Sequence, residues 1–420
     1  MILMKKLAAV LIGAGDRGTN AYAPYALKHP DELSFVAVAE PHQERREHFA
    51  QMHGIPEEMR FTSWEALFGG PKMGDAAFIC TKEQCHSGPT LAAMEKGYHI
   101  LLEKPIDMSM NSCLDIATRA QNYDKTFMLC YVLRYAPFYM EMKRLLEEGA
   151  VGDIVTIQHL EGVGVMHFAH SFIRGNWRRE EESGPIILSK SCHDFDLVCW
   201  LAEGECETVS SVGSLRQFIP ENRPYGAPDR CTDGCPAREC CMFYAPRVYS
   251  REHSGYASAV ISPLDPSMEG KLQALKEGPY GRCVYACDNN VCDHQLTQLS
   301  FRNGINVSFT LSAYTPAFSR ETVITGTKGL LRGIPETSTI ERTDFLSGNC
   351  TSYVINAVED RHNGGDYNIV ADFIRCAGGS GEGRTSVKHA AQSHILAFAA
   401  EEARKKGKTV RVDELISARQ

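Results

Sequence analysis

Short apolar runs alternate with amphipathic stretches over the first third of the chain, the pattern of a parallel sheet covered by helices. Candidate strands occupy residues 7–12, 35–39, 76–80 and 99–102, and helical periodicity covers 22–28, 43–53, 64–67, 88–96 and 111–123. A further strand at 127–130 leads into Tyr131 and Arg134, and a helix over 137–148 follows. After Gly149-Ala150-Val151-Gly152 the texture changes. Residues 154–161 read as a strand, and from Gln298 onward apolar positions alternate around Asn303-Gly304, a hairpin turn pair. More strands are predicted at 321–325 and 329–333, and regular helices at 368–376 and 386–405. Residues 220–281 carry prolines, glycines, cysteines and charges without periodicity and read as a long insertion. The expected fold is α/β: a parallel-sheet domain over 1–150, then an α+β domain over 151–420 built on a largely antiparallel open sheet, with a cysteine-rich insertion at about 220–295.

Composition narrows the partners. The chain has 420 residues, 43% hydrophobic and 23% charged, which suits two globular domains. Its 44 basic and 52 acidic residues give a net charge of -8 with no basic stripe, so nucleic acid is not an expected partner. Met4-Lys5-Lys6 ahead of residues 7–12 imitates a secretory signal, but the apolar run is short and closes on glycines, as a buried strand feeding a turn would. No stretch approaches the roughly 20 apolar residues of a membrane span. A cytoplasmic location is expected. The 16 cysteines are then expected to stay reduced, with Cys80, Cys113, Cys130, Cys199 and Cys376 acting as small core residues.

Gly13-Ala14-Gly15-Asp16-Arg17-Gly18 follows the first predicted strand and opens a helix, the context a dinucleotide-binding loop requires. Gly13 permits the tight turn, Gly15 lets backbone approach a pyrophosphate, and Gly18 allows close packing of helix on strand. Glu40 ends the second strand at the right distance to accept hydrogen bonds from ribose hydroxyls. Its charge repels a 2′-phosphate, so NAD is the expected cofactor and the first domain is a Rossmann domain. Arg45 and Arg46 lie nearby on the following helix and weaken that preference.

Glu103-Lys104-Pro105 stands at the carboxyl end of a predicted strand, where a Rossmann sheet faces its cofactor. Together with the glycine loop, Ala39-Glu40-Pro41 and the segment from Thr81 to His86, it makes the chain resemble the Gfo/Idh/MocA family, named for glucose-fructose oxidoreductase and inositol dehydrogenase. The resemblance is strongest over residues 5–150. It implies cofactor contacts from Gly13 to Gly18, Glu40, Thr81, His86, Glu103 and Lys104. It further implies a second domain that binds substrate against the nicotinamide and assembles a homo-oligomer, a dimer or tetramer, through its open sheet. Lys104 takes the role of the family's motif lysine, which orients and polarises the reacting hydroxyl or carbonyl.

The family also carries an aspartate, a histidine four residues later and a second aspartate three beyond. Here His193 and Asp196 match, whereas Ser189 replaces the first aspartate and Lys190 adjoins it. Read as one helix, the segment converges Ser189, Lys190, His193 and Asp196. Histidine suits proton exchange with a hydroxyl, and a neighbouring lysine would depress its pKa and hold an oxyanion. Tyr131, Arg134, Arg174, Trp177 and Arg178 combine donors with aromatic faces suited to a polyol. His167 and His170 have a spacing that admits a metal on a helix face.

Cys231, Cys235 and Cys240-Cys241, followed by Cys283, Cys287 and Cys292, fall in or just after the insertion. Cys231, Cys235, Cys240 and Cys287 are candidate ligands of a structural zinc, with free buried thiols the alternative. The expected activity is NAD-dependent oxidation or reduction at a ring hydroxyl carbon of a sugar, glycoside or cyclitol. Two other readings stay open: a glycoside-processing enzyme that oxidises, eliminates and re-reduces on tightly bound NAD, and a non-catalytic dinucleotide-binding sensor.

Overall fold

A computed structural model describes residues 6–250, 260–262, 265, 267–356 and 361–419. Met4 and Lys5 of the signal-like stretch, and residues 251–259 of the insertion, lie outside the described residues. Six strands, β1 (Leu7–Ile12), β2 (Leu33–Ala39), β3 (Arg60–Phe61), β4 (Ala76–Ile79), β5 (His99–Leu102) and β6 (Phe127–Leu129), form one sheet in the order β3-β2-β1-β4-β5-β6. All pairs are parallel. The central strands are apolar along their whole length because helices cover both faces. Strand order reverses direction at β1, so the crevice at its carboxyl end, where Gly13 follows, is the topological switch point.

The second sheet has nine strands: β7 (Ile154–Gly162), β8 (Cys206–Ser214), β9 (His294–Phe301), β10 (Asn306–Ser312), β11 (Ser319–Gly326), β12 (Gly329–Ile334), β13 (Thr339–Asp344), β14 (Cys350–Val354) and β15 (Val410–Arg411). They run in the order β14-β13-β12-β11-β7-β10-β9-β8-β15, antiparallel except for β7 beside β10. The Asn303-Gly304 turn joins β9 to β10, with Gly304 at φ +88° and the Asn303 Oδ1 accepting from Ile305 N at 3.2 Å. The helices Cys192–Ala202 and Val387–Lys406 pack against the buried face.

The helix Gly365–Ala377 belongs to the second half in sequence but packs on the first sheet. Its Ile369, Val370, Phe373 and Ile374 join the core of β1, β2 and β4, with Phe373 edge-on to Phe78 at 5.4 Å.

Among the described residues of the insertion, the helices Ala245–Ser250 and Met268–Glu277 lie over small apolar clusters. The zinc expectation finds no support: among the described residues no group of three or more Cys, His, Asp or Glu side chains converges to hold an ion. A closed site needs four donors around one point. Instead Cys240 is exposed with its thiol on the Ala237 carbonyl, the Cys287 thiol donates to Cys283 O, and Cys231 packs on Arg174. Arg174 does the ordering: buried, it donates from Nε to Arg282 O and from Nη2 to Phe243 O, both at 2.8 Å.

Candidate active site

The glycine loop has the geometry each glycine's role demands. Gly13 sits at φ +92°, and a Cβ there would lie 2.6 Å from Cys80 O. A Cβ on Gly18 would meet Gly13 O at 2.5 Å, whereas one on Gly15 would meet nothing within 4 Å. Gly15 therefore borders open space, which fits a dinucleotide pyrophosphate. Glu40 is buried at the end of β2, and its carboxylate accepts from Ala14 N at 2.8 Å and His42 N at 3.0 Å. Asp16 accepts from Asn20 Nδ2 at 3.0 Å. Arg17 turns inward: Nε donates to Glu103 Oε1 at 2.6 Å and both Nη atoms grip Asp366, at 3.0 and 2.7 Å. The turn after Gly18 is π-helical, closed by Ala23 N on Gly18 O at 3.1 Å, and the α-helix that follows is only Pro24–Lys28.

At the end of β5 the Lys104-Pro105 peptide is cis. Glu103 accepts from Tyr22 Oη at 2.5 Å as well as from Arg17, and its other oxygen takes Lys104 N at 2.9 Å. Burial alone would raise its pKa, but Arg17, Lys104 and Tyr22 outweigh it and hold the carboxyl below its ordinary value. The Lys104 side chain crosses the crevice, donating from Nζ to Ser189 O of the second domain at 2.9 Å. His86 is buried between two carbonyls, 2.6 Å from Pro105 O and 3.1 Å from Thr81 O.

The second-domain segment is not one helix. Ile186–Ser189 and Cys192–Ala202 are separated by a kink at Lys190 and Ser191. The kink sends Lys190 toward β7, where Nζ lies 3.6 Å from Glu161 Oε1 and 4.6 Å from the Phe318 ring centroid. Behind it is a buried ionic network. Arg320 donates to both oxygens of Asp194 at 2.6 and 3.0 Å and to Glu161 at 3.1 Å, and Ser191 Oγ donates to Glu161 at 2.7 Å. His159 Nε2 lies 2.8 Å from Asp194 Oδ1. Burial opposes ionisation of Asp194, but Arg320 and His159 hold it well below the usual carboxylate range. Glu161 is pushed upward by burial and by Asp194. Burial lowers the Lys190 amine below its ordinary value, with Arg320 and Lys104 adding and Glu161 opposing.

His193 is 8% exposed, and among the described residues its Nδ1 has no hydrogen-bond partner. Burial, then Lys104, His362 and Arg320, lower its pKa well below the ordinary value, so the imidazole is neutral at neutral pH. Lys104, Lys190 and His193 thus meet from the two halves of the chain. Glu161, Asp194, Arg320, His159 and Tyr22 support them, and nothing in the sequence pattern singled these out.

Other expected contacts lie elsewhere. Asp196 pairs with Arg134, which donates to its two oxygens at 2.7 and 2.6 Å, both side chains buried. Tyr131 is fully buried with its hydroxyl 2.6 Å from Ser393 Oγ. Trp177 Nε1 donates to Glu83 at 2.6 Å, and Arg178 is paired with Asp288 at 2.9 Å. His167 and His170 diverge, His170 stacking on Tyr280 with ring centroids 4.6 Å apart.

A parallel sheet with an open glycine turn at its switch point, facing a lysine and a neutral histidine across the crevice, defines an NAD-binding oxidoreductase. The chain belongs to the Gfo/Idh/MocA oxidoreductase family: residues 7–131 match its NAD-binding Rossmann fold and residues 143–412 its C-terminal alpha/beta domain. It is 22% identical over 317 residues to an oxidoreductase of Bacillus subtilis, YteT, covering 71% of this chain and 72% of that one. It is 25% identical over 215 residues to inositol 2-dehydrogenase of Corynebacterium glutamicum, covering 49% of this chain and 57% of that one. A solved levoglucosan dehydrogenase, in complex with NADH and levoglucosan, shares the fold at TM-score 0.72 and 18% identity, over 97% of this chain and 99% of that one. This chain is an NAD-dependent oxidoreductase. Among the described residues no helix is long and apolar enough to cross a membrane.

Proposed function

We propose that the protein moves hydride between NAD and a hydroxyl-bearing ring carbon of a sugar, glycoside or cyclitol. The carrying observation is the convergence of Lys104 with Lys190 and His193 over the end of the sheet that bears the glycine turn. The open approach at Gly15 and the buried Glu40 are the residues that would hold NAD, which when bound supplies the hydride acceptor. Lys104 exchanges its Ser189 carbonyl for the reacting oxygen of the substrate and holds the charge that develops there. His193, neutral, takes the hydroxyl proton as the C–H bond gives up its electron pair with the hydrogen, leaving a ketone. Lys190 lends a second positive charge in place of the family's aspartate. The names of the relatives, inositol 2-dehydrogenase and levoglucosan dehydrogenase, support the polyol class.

The test is to incubate the protein with NAD and a panel of sugars, glycosides and inositols, following NADH absorbance and released aglycone together. NADH in step with substrate is the expected result. Aglycone release without net NADH, or no signal in either channel despite measured NAD binding, would overturn the proposal.

A further inference from the structure

Two imidazoles grip a single peptide group directly behind the lysine. Its carbonyl, Pro105 O, lies 2.6 Å from His86 Nδ1, and its N–H, on Ile106, donates to His394 Nε2 at 2.8 Å. The two rings are 1% and 0% exposed. His86 precedes the helix Ser87–Glu95 after β4, while His394 comes from the helix Val387–Lys406, 288 residues beyond Ile106. A backbone N–H can only donate, so Nε2 of His394 is bare and the neutral ring carries its hydrogen on Nδ1. That Nδ1 stands 2.9 Å from Tyr131 Oη, which accepts there and is also hydrogen-bonded with Ser393 Oγ at 2.6 Å. The Tyr131 ring lies edge-on to His193 with centroids 5.7 Å apart. One run of hydrogen bonds therefore links the peptide behind Lys104 to the ring that backs His193.

We propose that His394, with His86 as its counterpart, is a positioning residue that sets Lys104 and His193 in register across the crevice. The inference rests on the assignment of those two as the reacting pair. The Lys104 amine ends a flexible stem, and its location depends on where the backbone of residues 104–106 is held. Removing the acceptor leaves a buried N–H unsatisfied and frees the peptide to shift, and a shift of about 1 Å at reacting groups costs on the order of 100-fold in rate.

The experiment compares His394→Leu, which removes the acceptor, with His394→Gln, whose Oε1 can reoccupy the Nε2 position. Readouts are kcat, KM, NAD affinity and the acylation rate of the Lys104 amine, measured by mass spectrometry against exposed Lys408. The leucine variant is expected to lose about tenfold or more in kcat with NAD affinity within about twofold, and to change Lys104 acylation by about threefold or more. The glutamine variant recovers most of both. A folded leucine variant with unchanged kcat and unchanged Lys104 acylation would overturn the proposal, as would glutamine performing no better than leucine. Should the leucine variant not fold, ¹⁵N-histidine NMR of the unaltered protein decides: the Nδ1–H tautomer at His394 upholds the proposal and the Nε2–H tautomer overturns it. Lys104 acylation needs no substrate, so an acylation change in a protein inactive on every polyol keeps the positioning role and sinks the hydride-transfer reading alone.

Discussion

The proposed role of His193 as a base depends on its staying uncharged. Burial, Lys104, His362 and Arg320 all lower its proton affinity, so a base is available well below the pH at which a solvent-exposed histidine would be lost. The acid limb of kcat against pH is therefore expected below the ordinary histidine value of about 6.5, and a limb centred near that value would contradict the role. On the proposed mechanism, Lys104→Ala removes the group that would hold the reacting oxygen. Turnover should fall by about 100-fold or more while the NAD dissociation constant changes little, as steady-state assays and fluorescence titration would read. Glu40→Ala frees the Ala14 and His42 amides and removes the charge that repels a 2′-phosphate. Nucleotide titration should show NAD bound about tenfold more weakly, with the preference over NADP reduced.

At this scale the family's spacing points to His193 and Asp196, with Ser189 at the place of the first aspartate and Lys190 beside it. Asp196 and Arg134, both expected at the substrate, are buried and paired with each other, a long-range contact that the spacing along one helix does not reveal. The partners that set the site's electrostatics were not legible. Arg320 lies 126 residues from Asp194 and 159 from Glu161, separations over which local periodicity says nothing.

Among the elements, the helix Gln43–His53 and the strands β1 and β5 stand where the apolar pattern put them, because a strand covered on both faces must be continuously hydrophobic. β8 escaped notice because its apolar residues do not alternate: Cys206 and Val209 are buried with the polar Ser211, while Val212 is exposed. Ser211 Oγ lies 3.0 Å from Thr297 Oγ1 and accepts from Gln295 Nε2 at 3.0 Å, so side-chain hydrogen bonds do there what apolar packing does elsewhere. β14 is largely exposed and carries no alternation to read. The Arg134–Asp196 pair shows how an element is locked into place. Arg134→Met would strand a buried carboxylate and cost about 3–5 kcal/mol in urea denaturation, whereas adding Asp196→Leu should restore most of the loss. A double variant no more stable than the single would show that the pair is not the cause.

Across the whole molecule, the domain order in sequence and the domain order in space differ. Trp177 from the second half reaches Glu83 on the loop after β4, and Asp366 closes on Arg17 of the glycine loop. The helix Gly365–Ala377 supplies Ile369, Val370, Phe373 and Ile374 to the first core, each worth about 1.5–3 kcal/mol when fully buried. A chain ending at residue 150 should consequently expose that face and aggregate or bind hydrophobic dyes. Linking residues 361–380 back onto it should recover a monomeric peak on gel filtration and a cooperative melt. A stable, cooperative first half without that helix would refute the dependence.

That helix also sets a timetable on the ribosome. The glycine loop and all six strands of the first sheet are synthesised early, yet the helix that covers one face of the sheet emerges more than 200 residues later. At the usual elongation rate of about 5–20 residues per second, the nascent sheet waits roughly 10–50 s with that apolar face bare. During that interval the bare face is open to hydrophobic capture, and Arg17 of the glycine loop waits equally long for its partner Asp366.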